Sequence, residues 1–131
     1  MLLSRTKVRT NFISFVIERS SNRLLPEISL LSDLQSISLQ DGKIKNIPVG
    51  AYTLKHLRNL DMDKNQINGE FPTRVTNKMT QLLRLDVNYN FLSGGIDFLL
   101  QFPSLKEAHL DNNKFSGTIP ASLGALSNLG E

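Results

Sequence analysis

One pattern recurs down this chain, and its period constrains the fold more than any single motif does. Its last well-formed copy reads Leu105-x-x-Ala108-x-Leu110-x-x-Asn113-x-Phe115-x-Gly117-x-Ile119-Pro120. Upstream, Leu82-x-x-Leu85-x-Val87-x-x-Asn90-x-Leu92-x-Gly94-x-Ile96 keeps each slot except the proline, where Asp97 stands. Leu57-x-x-Leu60-x-Met62-x-x-Asn65-x-Ile67-x-Gly69-x-Phe71-Pro72 is complete. The copy before it, Leu34-x-x-Ile37-x-Leu39-x-x-Gly42-x-Ile44-x-x-Ile47-Pro48, is one residue shorter and has Gly42 in the asparagine slot. A worn copy opens the series as Phe12-x-x-Phe15-x-Ile17-x-x-Ser20, closing at Leu25-Pro26. Successive starts at 12, 34, 57, 82 and 105 give steps of 22, 23, 25 and 23 residues. A unit that short cannot bury its own apolar face, so the copies must stack on one another and share a core.

Within each unit the x-Leu-x-Leu-x stretch alternates, which predicts a short strand with one apolar and one polar face. The asparagine lies three residues past the second strand position, where the chain must turn. Its amide offers two donors and an acceptor, which suits turn groups that water does not reach. The later glycine permits positive φ, and proline ends local pairing. Stretches such as "ASLGALSN" then return leucines to the interior at three-residue spacing. The expected class is α/β, a right-handed solenoid. Its parallel β-sheet lines the concave face, and short turns, 3-10 or helical segments line the convex face.

The four better units, over roughly residues 24 to 129, resemble leucine-rich repeats of the variety with a Ser-Gly-x-Ile-Pro tail. "KFSGTIPASLGALSNL" and "QINGEFP" carry that resemblance most clearly. It implies the repeat region of a plant receptor-like protein or receptor kinase, in which repeats sense a ligand and another domain signals. The resemblance also admits two alternatives: an inhibitor of secreted polysaccharide hydrolases built from the same repeats, and an intracellular scaffold. It implies the extracellular face of the plasma membrane. Against that, the chain has no cysteine and no Asn-x-Ser/Thr acceptor, which leaves an intracellular location open.

The expected organisation is a basic segment over 1–23, with a degenerate first rung from 12, followed by a solenoid over 24–131. Residues 1–23 hold five of the fifteen basic residues and one acid, Glu18. Removing them leaves ten bases against eleven acids, so the net charge of +3 comes from this segment. It reads either as a targeting stretch or as a worn rung behind a frayed start. Neither end has a capping pattern, and "LSNLGE" stops where Leu129 would start another strand. A chain truncated at its C-terminus is therefore expected, with neighbouring repeats or a second copy covering the open ends. No run approaches the roughly 18 apolar residues of a membrane span.

Catalytic patterns are missing: there is no cysteine, no Gly-x-Ser-x-Gly and no phosphate-cradling glycine loop. No enzyme activity, cofactor or metal is therefore expected. Asp61-x-Asp63-x-Asn65 starts like a calcium loop, but the sixth and twelfth positions, which need Gly and Glu, hold Gln66 and Pro72. Basic residues clustered with stacking aromatics, as nucleic acid requires, do not occur in the repeats.

Function is therefore expected on the polar strand positions, which rungs stacked about 4.8 Å apart place in columns. Between the strand apolar residues the column reads Ser38, Asp61, Asp86, His109, and just after them Gln40, Asp63, Asn88, Asp111. Just before them it reads Ser36, Asn59, Arg84, Glu107, and one step further out Asp41, Lys64, Tyr89, Asn112. Asp61, Asp63, Arg84, Asp86, Asn88, Tyr89, His109 and Asp111 are the candidate contacts for a protein or peptide ligand. Asp61, Asp86 and Asp111 are expected to favour a basic one, with His109 as a pH-responsive neighbour. Asn65, Asn90 and Asn113 are expected to form a structural ladder, and Leu110 to be fully interior.

Overall fold

The computed structural model describes residues 7–9, 12–16, 29, 31–47, 49–73 and 79–130. Most of the worn copy, including Ile17, Ser20, Leu25 and Pro26, lies outside these residues, as does Pro48. Nine strands are present among the described residues: β1 (Lys7–Arg9), β2 (Phe12–Val16), β3 (Leu34–Ser38), β4 (Asn59–Asp61), β5 (Asn68–Glu70), β6 (Arg84–Asp86), β7 (Phe91–Gly94), β8 (Glu107–His109) and β9 (Lys114–Phe115).

The repeat unit maps onto one turn of a solenoid. Its x-Leu-x stretch supplies β3, β4, β6 and β8, which pair in parallel so that Ile37, Leu60, Leu85 and Ala108 are neighbours. β2 joins this sheet in parallel, with Phe15 beside Ile37, and β1 closes the edge in antiparallel fashion. The parallel ladder runs past the strand ends: Leu39 N donates to Asp61 O at 2.9 Å, and Met62 N to Asp86 O at 2.8 Å.

The units that start at 57, 82 and 105 each contribute a strand to a second sheet, β5-β7-β9, which the sequence pattern does not announce. Asn68-Gly-Glu, Phe91-Leu-Ser-Gly and Lys114-Phe lack the strict alternation of a half-buried strand. Their pairing is dictated by stacking, since whatever follows the asparagine turn in one unit must lie beside its equivalent in the next. Gly94 shows why this segment carries glycine: its φ is +82°, and a Cβ there would meet Glu70 Cγ at 2.9 Å.

Beyond the second sheet the chain returns through 3-10 turns at Val49–Thr53, Asp97–Gln101 and Ala121–Ala125. Three-residue leucine spacing has a direct cause here. Leu99 N donates to Ile96 O, Phe102 N to Leu99 O and Leu105 N to Phe102 O, at 3.0–3.1 Å. A period of three keeps those side chains on one face. They enter the core with Leu57, Leu60, Met62, Ile67, Leu82, Leu85, Val87 and Leu92, all buried. Phe71 anchors the convex half. It stacks on Phe98 at 4.1 Å and meets Tyr52 and Phe102 edge-on at 6.2 and 6.0 Å.

One packing expectation needs correcting. Leu110 is half-buried, not fully interior, because β8 is the last strand of its sheet and no described rung covers it.

Candidate functional site

Three asparagines fix the turn that ends the polar face. Asn90 is 5% exposed, and its Nδ2 donates to Met62 O, Val87 O and Asn88 O at 2.9, 3.0 and 3.1 Å. Its Oδ1 accepts from Ile67 N at 3.0 Å. Asn65 repeats this between Leu39 O, Met62 O, Asp63 O and Ile44 N, and Asn113 between Val87 O, Leu110 O, Asp111 O and Leu92 N. Each side chain thus joins its own turn to the preceding one. Met62 O and Val87 O each accept from two successive asparagines, filling both lone pairs. Gly42 fits its slot because a Cβ there would lie 2.5 Å from Asn65 Oδ1.

Registers Ser36↔Asn59↔Arg84↔Glu107 and Ser38↔Asp61↔Asp86↔His109 put the candidate residues in columns on one face. The face is less uniformly solvated than alternation alone implies. Asp86 is buried and Asp61 half-buried, because each serves its own chain. Asp61 Oδ1 accepts from Asp63 N at 3.3 Å, and Asp86 Oδ1 from Asn88 N at 3.2 Å. These are side-chain turns that cap the strand ends. The Asp-x-Asp and Asp-x-Asn spacing was the signal that carried them. Their second oxygens take Gln40 Nε2 and Arg84, the latter at 3.3 Å. Where His109 replaces aspartate, Asp111 N donates instead to Asn88 Oδ1 at 2.7 Å.

Charge on the face concentrates around Asp63. Burial, then repulsion from Asp61, pushes its carboxyl above the usual carboxylate range, despite Lys64 at 3.5 Å. Its Oδ1 is buried and has no hydrogen-bond partner. Asp111 is exposed, and Arg84 bridges Asp86 and Glu107 at 3.3 Å each. His109 Nε2 sits 3.7 Å from Glu107 Oε2, too far for a hydrogen bond.

Tyr89 departs from the expected strand position. It adopts φ 52°, as Asp41, Lys64 and Asn112 do at 53°, 50° and 55°. The alternation therefore ends before it, and its side chain is 55% exposed in a left-handed turn. Aspartate and asparagine at two of these four positions were the available sequence signal. Among the described residues, no group of three or more His, Asp or Glu is placed to hold a metal ion.

A solenoid whose repeat strands pair in parallel in two sheets, with a polar face and an asparagine ladder, defines a stacked-repeat protein. The Leucine Rich Repeat family profile matches residues 56–77 and 104–126. The ectodomain of the receptor kinase SOBIR1 from Arabidopsis thaliana superposes with a TM-score of 0.74 at 30% identity, over 96% of this chain and 72% of that one. The plant peptide hormone receptor RGFR1, solved in complex with RGF2, gives 0.72 at 28% identity, over 82% of this chain and 17% of the receptor. Receptor-like protein 7 of Arabidopsis thaliana is 32% identical over 133 residues, 97% of this chain and 13% of its own length. The chain belongs to the leucine-rich repeat family, in the variety carried by plant receptor-like proteins and receptor kinases. It spans 3% to 14% of the length of the curated relatives it matches. No helix among the described residues is long and apolar enough to cross a membrane.

Proposed function

We propose that this chain is a non-enzymatic recognition module of a receptor-like protein or receptor kinase, working at the extracellular face of the membrane. Its concave face takes a basic segment of a protein or peptide. One observation carries the reading: a single sheet face holds Asp61, Asp63, Asp86, Asp111 and Glu107 against Arg84. Asp61 and Asp86 spend one oxygen each on their own backbone. Asp111 is exposed, and Asp63 offers the oxygen that Lys64 approaches at 3.5 Å, so these two carry the charge a ligand cation would meet. RGFR1, a structural relative, was solved with its partner RGF2, which fits a recognition role for repeats of this kind.

The test is fluorescence anisotropy with a labelled lysine- and arginine-rich peptide, comparing wild type with Asp63→Asn/Asp111→Asn. Asparagine keeps shape and acceptor while removing charge. At least tenfold weaker binding is expected, with no fall in melting temperature. Equal binding by both proteins refutes the acidic stripe as the determinant.

A further inference from the structure

The turn between the two sheets forms a surface distinct from the concave face, and its chemistry is the reverse. Taking the residues just before, just after and three after the asparagine slot, successive units place Lys64, Lys43, Lys114 and Lys45 here, against Asp41. All five are exposed. Stacking lines these turns up along one flank. Asp41 N donates to Asp63 O, Lys64 N to Asn88 O and Tyr89 N to Asp111 O at 3.0–3.3 Å. Asn68 N donates to Lys45 O at 3.3 Å, and Ser93 lies between Lys114 and the exposed Glu70, a second acid against the four lysines.

In the middle of this basic flank sit two aromatics. Tyr89 and Phe91 flank the buried Asn90 and are 55% and 48% exposed. The corresponding pairs in the other units are Asp41 and Lys43, Lys64 and Gln66, and Asn112 and Lys114, all polar. Phe91 has the ammonium of Lys114 over its ring at 5.2 Å. Tyr89 holds a left-handed conformation that Asn or Asp adopts at lower cost, so the turn's own geometry does not call for tyrosine. Exposed aromatics framed by cations have the composition of a contact centre: large, rigid area with charge at the rim.

We infer that this flank, centred on Tyr89 and Phe91 and framed by Lys43, Lys45, Lys64 and Lys114, docks an acidic, aromatic-containing segment of a partner protein. The charge complements the lysines, and an aromatic or apolar side chain covers the two rings. A face acidic on its concave side and basic on its flank would then hold two partners, or two parts of one, without competition.

The probe is a dye-labelled random Glu-Tyr copolymer, titrated at physiological salt. The decisive variant gives this unit its neighbours' residues: Tyr89→Asn, as at Asn112, with Phe91→Gln, as at Gln66. Both replacements suit the local backbone, and a melting temperature at or above wild type shows that the fold is intact. Saturable binding by wild type is expected, at least tenfold weaker in this variant and in Lys43→Gln/Lys114→Gln. Asp63→Asn/Asp111→Asn is expected to leave it unchanged or tighter, which separates this surface from the concave reading. The inference is overturned if wild type does not bind the copolymer, or if Tyr89→Asn/Phe91→Gln binds it equally well. Tighter binding of a single-stranded oligonucleotide of equal charge also overturns it, in favour of a phosphate backbone.

Discussion

At the scale of residues, Asp63 shows how stacking perturbs a side chain that looks ordinary in the sequence. Its pKa rises on folding, through burial first and Asp61 second. The folded chain therefore keeps this proton to higher pH than the unfolded chain. The resulting stabilisation is present below the unfolded value near 3.9 and is lost as pH rises through the folded pKa. Asp63→Asn is accordingly expected to melt above wild type at pH 7, with the gap closing on acidification; a gap that widens toward pH 4 would contradict this. Asn90 is the opposite case, a polar group whose partners are all in place. Asn90→Ala is expected to cost about 1–3 kcal/mol in denaturant unfolding, because Met62 O, Val87 O and Ile67 N lose buried partners. Asn113, half-buried at the last rung, should cost less. Lys64 holds φ 50°, a left-handed turn that asparagine tolerates better, and its ion pair with Asp63 is largely exposed on the lysine side, so Lys64→Asn is expected to gain about 0.5 kcal/mol.

At the scale of elements, the two sheets differ in how far they could be read in advance. Leu60 and Met62 alternate with polar residues and then give way to Asn65, so β4 and its turn are legible in the sequence. The second sheet is not. Asn68-Gly-Glu has no apolar face, and its strand character comes from the neighbouring turn. Asp86 misled for a related reason: alternation points it outward, whereas its hydrogen bond to Asn88 N draws it into the surface. The candidate columns themselves followed from register alone, but which carboxylates stay free within them did not. The aromatic joint on the convex side offers a test of element packing. Phe71→Ala empties a site bounded by Tyr52, Phe98 and Phe102 and is expected to cost about 3–5 kcal/mol. Phe91→Ala, on the exposed flank, should cost well under 1 kcal/mol. Similar losses for the two would mean that the convex joint is not close-packed.

At the scale of the whole molecule, contacts run from each turn to the next, so stability is expected to grade along the axis. Hydrogen exchange should be slowest around Leu60, Leu85 and Asn90 and faster toward β8 and β9. Even protection from end to end would be incompatible with nearest-neighbour coupling. By the same argument, Leu85→Asp should unfold the array, whereas Leu110→Asp, at a half-covered position, should loosen only the last turn. The doubly accepting carbonyls of Met62 and Val87 carry a mechanical consequence. Because each is held by two consecutive asparagines, a turn cannot leave the stack without breaking a bond that also secures the next. Drawn out by its ends, such a chain should yield in discrete steps, each one turn long. Each step would release about 80 Å of contour, the extended length of one unit. Tension would thus be met as a series of equal latches, giving way from the ends inward.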